Sequence, residues 1–350
     1  MTSHRIRFWI LWKGEAGRPG RFKATVPLFF LAASLTGCGG YADFQLPAPA
    51  TAPSPAHYNW SAQAMPVIFQ GKPGDWDSHD VLNPSIVLFH RTYVNLYSGW
   101  DGKTMSTGLA TSSDGLHWTK QGKLFGPDTR TWEGDYIAAN GAAVESAGQL
   151  MYFYQAGRPP RIGLAASSDS RTWTKHGEPV VGLGPRGSWD ERGVADPYVI
   201  HAGTNLYMFY LGMDRAQRQR LGVARSPDGI TWTKLRTNPV LELGAFAAFD
   251  ERGLGEPAVW DAHGYYWMLY TGRDRKENRR LGLARSRDGV HWDKLSDFVI
   301  AGDQPWDSKV ICDPSVILDG DTVRVWFAGG DVPSPDQDLH GQIGVATLKP

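Results

Sequence analysis

The sequence predicts an all-β fold, a five-bladed β-propeller of four-stranded antiparallel blades whose ring is closed by an N-terminal strand. Three observations predict it: one phrase that recurs five times, a second that recurs four times at nearly the same spacing, and a composition suited to short strands and tight turns. The chain has 350 residues, with 41 Gly, 23 Pro and 12% aromatic residues. Gly and Pro set turn dihedrals, while aromatic side chains favour pleated, half-buried surfaces.

The five-fold phrase places an aromatic and an acidic residue before a polar residue, a small turn and an apolar run. Its copies are WDSHDVLNPSIV, WEGDYIAANGAAV, WDERGVADPYVI, FDERGLGEPAVW and WDSKVICDPSVI. The polar residues in register are Asn83, Asn140, Asp196, Glu256 and Asp313, spaced 57, 56, 60 and 57 positions apart. The four-fold phrase is SSDGLHW, SSDSRTW, SPDGITW and SRDGVHW, ending at Trp118, Trp173, Trp232 and Trp292. Between the two phrases each repeat holds the same order of apolar stretches, shown by EPAVW, YYWMLYTG, RLGLARS and HWDKL in the fourth copy. That is four short strands per unit, a sheet too small to bury both faces alone, and such units pack radially as blades.

The last repeat stops at GQIGVATLKP, a third strand. The missing fourth strand is found at the other end, where Tyr58-Asn59-Trp60 lies 58 residues before Trp118. This strand is expected to complete the final blade and remove two exposed sheet edges.

Residues 1–38 read as a processing segment. Arg21 and Lys23 precede the apolar run Val26 to Leu35, which is too short to span a bilayer. The run ends in Leu35-Thr36-Gly37-Cys38, which resembles the bacterial lipobox, so Cys38 is the expected lipidation site. A cleaved secretory signal with an incidental Cys38 is the alternative. Residues 39–57 are rich in Pro and Ala and read as an extended tether, leaving 58–350 for the propeller. The expected location is the bacterial cell envelope, periplasmic or extracellular, with membrane contact only through the anchor. With Cys38 lipidated, Cys312 is the remaining thiol and no intramolecular disulfide can form.

Lys plus Arg equals Asp plus Glu at 36 each. The balance supplies no general attraction for nucleic acid or anionic lipid, and a neutral or weakly charged partner fits better; a monomer is expected.

In a propeller the loops before the innermost strand and between the second and third strands share one face. Asn83, Asn140, Asp196, Glu256 and Asp313, at the start of innermost strands, are therefore expected to ring an axial funnel. The SxDGxxW turns point the other way, and Asp114, Asp169, Asp228 and Asp288 read as turn-forming. Trp76, Trp132, Trp189, Phe249 and Trp306 recur in every unit and read as blade packing. Trp100 differs: its counterparts in register are Met213, Arg273 and Gly330, so it breaks the repeat on the funnel face, where it could stack on a sugar ring.

The ring holds two amides and three carboxylates, and carboxylates crowded around a narrow funnel repel one another and lose solvation, which raises at least one pKa and can leave a protonated acid beside an ionised base. Glycoside hydrolysis needs that pair. Strand-end capping by Asp-Pro and Glu-Pro steps is the structural alternative.

The five-fold repeat, these DP and EP steps and the SxDGxxW hairpins, similar to the Asp-box of sialidases, resemble the five-bladed glycosidase superfamily. It includes glycoside hydrolase family 43, with its arabinanases and β-xylosidases, and the invertase and levansucrase families. The resemblance covers about Tyr58 to Pro350. It implies a base from blade one, an Asp in blade three that tunes proton affinity and orients substrate, and a general acid Glu in blade four. Asp196 and Glu256 occupy the latter two positions. Blade one departs from the pattern, because Asn83 cannot accept a proton; Asp313 is the expected substitute, and Asp80 a second choice or a loop support. Asn83 and Asn140 are expected to contact substrate.

Arg192 and Arg252 in the DERG loops, and Arg215 and Arg275 in MDR and RDR, are expected on the funnel face. They could grip an acidic sugar or a phosphate, as in the related mannoside phosphorylases, or form ion pairs with Asp190 and Asp250. No zinc-type cluster, phosphate loop or nucleophile elbow is present in the sequence. No cofactor is expected, and an axial calcium, as in some relatives, is left open. The expectation is a glycosidase-like protein, with a non-catalytic carbohydrate-binding lipoprotein and a phosphorylase-like relative as alternatives.

Overall fold

The computed structural model describes residues 40–52, 54, 55 and 57–350; the segment expected to be a signal and Cys38 lie outside them. Among the described residues the only helical element is a 3-10 turn, Pro305–Asp307, and the rest is strand and turn. Five antiparallel units follow one another. Their innermost strands are Asp80–Phe89, Ile137–Ser146, Gly193–Ala202, Gly253–Ala262 and Val310–Asp319. In each unit the innermost strand pairs with a second strand and that with a third. Units one to four add their own outer strand. The outer strand of unit five is the N-terminal Asn59–Ala62, which pairs antiparallel with Gln342–Lys349. Short parallel contacts join neighbouring units, giving hydrogen-bonded sheets of 13 and 8 strands, neither of which closes on itself.

The outer parts repeat the same chemistry. In the SxDGxxW turn of unit three, Ser226 Oγ accepts from the Asp228 and Gly229 N–H groups, and Asp228 Oδ1 accepts from the Ile230 and Thr231 N–H groups. Trp232 Nε1 closes the motif on Gly229 O. Trp232 and Trp292 each meet an aromatic ring of the preceding unit, Phe153 and Phe209, and Trp118 meets Trp326 of unit five. Trp76, Trp132, Trp189, Phe249 and Trp306 each lie against a ring on the second strand, with centroids 5.4 to 6.5 Å apart. The acid after each aromatic is buried. Asp77, Glu133, Asp190 and Asp250 pair with Lys120, Lys175, Lys234 and Lys294 of the outer strand and accept a tyrosine hydroxyl from the second strand. Unit five carries Asp307 and Phe327 instead, and its N-terminal outer strand has no lysine.

The segment before Asn59 is extended, as its composition suggests, but it is a docked strap and not a free tether. Tyr41–Ala42 pairs parallel with the outer strand Thr233–Leu235 of unit three. Leu46 is buried, its N–H bonded to Asp288 O, while Phe44 packs on Tyr207 and Tyr266 donates to Pro47 O. Two apolar side chains, Phe44 and Leu46, and an open sheet edge outweigh the Pro and Ala content that suggested a linker.

Candidate active site

The five polar residues in register share a backbone conformation that their sequence context does not announce. Asn83, Asn140, Asp196, Glu256 and Asp313 all have left-handed φ angles, from +46° to +53°. Each sits at a register shift about four residues inside its strand, so the DP and EP steps are strand bulges and not strand-entry turns. A bulge re-aims a side chain. Here it turns all five inward, and all five line one small space of about 30 Å³ at the convergence of the innermost strands. Four of them precede proline, which disfavours any helical-type backbone in the residue before it. Asn and Asp tolerate left-handed backbone better than other non-glycine residues. Glu256 does not share that tolerance, so local conformation accounts for four of the five residue types and leaves Glu256 to be explained by chemistry.

Above that space lies a cavity of about 420 Å³ whose wall includes the same five residues together with Arg273, Arg279, Tyr136, Asp336 and Gln337. Asp313 is 5% exposed; its Oδ2 accepts the Asn83 N–H at 3.0 Å, and its Oδ1 is buried without a partner. Glu256, Cys312 and Asp313 offer ligand-type atoms all within 4.8 Å of one another. Arg279 reaches into this group, with Nη1 4.0 Å from Glu256 Oε1 and 3.9 Å from Cys312 Sγ. A guanidinium thus occupies the position of positive charge.

The electrostatics follow from crowding. Burial first, and then the Glu256 carboxylate, push Asp196 up to about 8, with Arg279 acting in the opposite direction. Burial and Glu256 hold the Asp313 carboxyl well above the usual range. Burial alone would lower Arg279, but Cys312, Glu256 and Asp313 around it hold the guanidinium above its ordinary value. Asp196 and Asp313 are thus biased towards their protonated forms.

Asp196, Glu256, Asp313, Asn83 and Asn140 are therefore brought together as the spacing predicts. Asp313 is poorly suited to be a base, because a buried carboxyl that retains its proton cannot take another. Asp80 is buried and accepts the N–H groups of Asp338, Leu339 and Gly341, so it supports a loop. Trp100 does not reach the cavity. It is buried with Leu82, Met105 and Leu339 and lies edge-on to His79, with no free face for a sugar. The four arginines are also displaced from their expected role. Arg215 and Arg275 pair with Glu191 and Glu251 at 3.1 and 3.0 Å, Arg192 and Arg252 are exposed, and none lines the cavity. Asp190 and Asp250 pair with lysines and not with these arginines.

Arg279, Arg273, Tyr136 and Asp336 were missed. Arg279 begins a third strand where unit three has Gln219 and unit one Met105, so comparing third strands in register would have found it. Asp336 lies on a loop with no counterpart to compare.

The profile described as the Glycosyl hydrolases family 32 N-terminal domain matches residues 87–239 and, in an overlapping alignment, 199–312, which together span more than half of the chain. The chain belongs to this family. Among relatives of this glycosyl hydrolase family 32 chain is the uncharacterized protein Rv1502 of Mycobacterium tuberculosis (strain H37Rv), 28% identical over 234 residues, which are 61% of this chain and 75% of that protein. One similar solved structure comes from work describing the GH130 family of mannoside phosphorylases as containing glycoside hydrolases that target β-1,2 mannosidic linkages in Candida mannan. Its TM-score is 0.67 at 19% identity, covering 88% of this chain and 97% of that one. A thermostable family-43 glycoside hydrolase has a TM-score of 0.58 at 16% identity, covering 77% and 88%. At these identities the likeness shows a shared glycoside-hydrolase fold.

Proposed function

We propose that this family 32 chain cleaves glycosidic bonds of an oligo- or polysaccharide in the axial cavity. The carrying observation is that five units with the same bulged backbone present different side chains to one axis, three of them carboxylates beside the buried Arg279. In this reading the units form a closed five-bladed β-propeller, supported by the Asn59–Ala62 pairing and by bonds between units five and one, Asn83 N–H to Asp313 and Ile86 N–H to Ser315 Oγ. Glu256 is the general acid, on the cavity wall with a side chain 17% exposed. Asp196 and Asp313 keep the proton inventory of the cluster high, so that a proton is at hand where charge develops on the leaving oxygen. Asn83 and Asn140 offer amides to sugar hydroxyls.

The test is turnover by wild type and Glu256→Gln on sucrose, a β-1,2-linked mannobiose and a panel of 4-nitrophenyl glycosides. The substitution is expected to lower kcat by roughly 10²–10⁴-fold with an unchanged melting temperature. Equal activity of the two proteins rejects the assignment. A phosphorylase reading is favoured by one observation, the Arg273 guanidinium on the cavity wall with its Nε unpartnered; inorganic phosphate would then be required, and sugar phosphate released.

The lipobox supports lipidation at Cys38 and attachment to the bacterial envelope. Two positions after Cys38 in the sequence, Gly40 O accepts the Lys234 N–H of the outer strand of unit three. Cys38→Ser is expected to release the protein from the membrane fraction.

A further inference from the structure

Unit five differs from the others on the cavity face. Its second and third strands are joined by eleven residues, Asp331 to Gly341, where the other units use four or five. This loop is held from three other units. Asp80 of unit one accepts three of its N–H groups, at 2.6, 3.0 and 2.8 Å. Tyr136, from the loop entering unit two, donates to Gln337 Oε1 at 2.6 Å. Arg279 of unit four donates to Ser334 O and Pro335 O, and Arg273 to Pro335 O. Leu339 is fully buried beside Trp100. Loops that carry function are positioned by a rigid scaffold, and this one brings Asp336 to the cavity wall.

Four carboxylates line the cavity: Asp196, Glu256, Asp313 and Asp336. Burial and mutual repulsion keep protons on Asp196 and Asp313, and Glu256 has the role of acid. Asp336 is solvent-exposed and near enough to Asp196 to raise its proton affinity.

We propose that Asp336 is the general base that Asn83 cannot be, delivered to the funnel by the unit-five loop. This rests on the glycosidase reading above. A water oxygen attacks the anomeric carbon while its proton passes to the Asp336 carboxylate. The glycosidic C–O bond breaks with its electron pair going to the leaving oxygen, which takes the proton of the Glu256 carboxyl. Asp336 ends protonated and Glu256 ionised, and exchange with solvent restores both. Asp80, the other candidate near blade one, acts as a positioning residue by fixing the loop.

The full chain tests this on whichever of the sucrose, mannobiose and 4-nitrophenyl glycoside probes the wild type cleaves. Asp336→Asn is expected to lower kcat by roughly 10²–10⁴-fold with KM within about three-fold and the melting temperature unchanged. Sodium azide or formate is expected to restore turnover to Asp336→Ala. A kcat within ten-fold of wild type, or a change confined to KM, overturns the proposal. If Glu256→Gln is inactive while Asp336→Asn remains active, the base assignment fails and the glycosidase reading stands. If the wild type cleaves none of the probes, both fail together.

Discussion

The outer frame and the axis of this protein obey opposite rules. In the frame, side chains repeat because each unit has the same problem: a turn to close, a gap between sheets to fill, a buried acid to neutralise. Four Ser-Asp turns, five aromatic stacks and four buried lysine–acid–tyrosine groups are the result. At the axis the backbone repeats more closely still, within 7° of φ over five residues, yet the side chains are Asn, Asn, Asp, Glu and Asp. Symmetry kept in the backbone and abandoned in the side chains marks the place where chemistry, not folding, selects the residue.

This contrast can be broken most forcefully in the frame. Asp190→Ala strands Lys234, whose ammonium is nearly fully buried, and is expected to cost about 3–5 kcal/mol in urea unfolding. Asp307→Ala in unit five, which has no lysine partner, is expected to cost less than half of that. Equal losses would mean that the ion pair is incidental and only the loop packing matters. Next in size is the strap, where Leu46→Ala is expected to cost about 2–5 kcal/mol, the usual range for buried leucine. No loss there would show that the segment before Asn59 is a passenger.

A smaller effect separates the axis from the frame through pH. Asp196 binds its proton more tightly when folded than when unfolded, so its stabilising contribution is complete at acid pH and is lost as pH rises towards about 8. Thermal melts of Asp196→Asn relative to wild type are therefore expected to improve by a few degrees between pH 5 and pH 8. A constant difference would show that the cluster does not hold its proton. The smallest effect belongs to Arg192→Ala and Arg252→Ala, which lie on exposed loop positions; each is expected to stay within about 0.5 kcal/mol of wild type with turnover unchanged. A loss of activity would put the DERG arginines back in contact with substrate.

The legibility of the sequence follows the same division. Repeated features can be read by aligning the chain with itself, which is why the units, the missing fourth strand at Asn59–Ala62 and the five axial positions were found from spacing alone. Trp100 was misread by that logic. Its register counterparts Met213 and Arg273 do line the cavity, but Leu339 from a loop of irregular length covers Trp100. Arg192 and Arg215 were on the correct side of the units and still outside the cavity, because side-chain reach and ion pairing with Glu191 are not visible in spacing.

By itself the sequence determined the all-β class, the number and order of the units and the identity of the acids that converge, because hydrophobic period and repeat length are local properties written along the chain. Only the tertiary structure decided which charges share one desolvated space. Arg279 among Glu256, Cys312 and Asp313, and Asp336 at the cavity wall, come from separate units whose proximity depends on how the strands are fanned and how one unique loop is anchored. Proton affinity depends on distance and burial, and neither is a property of residue order.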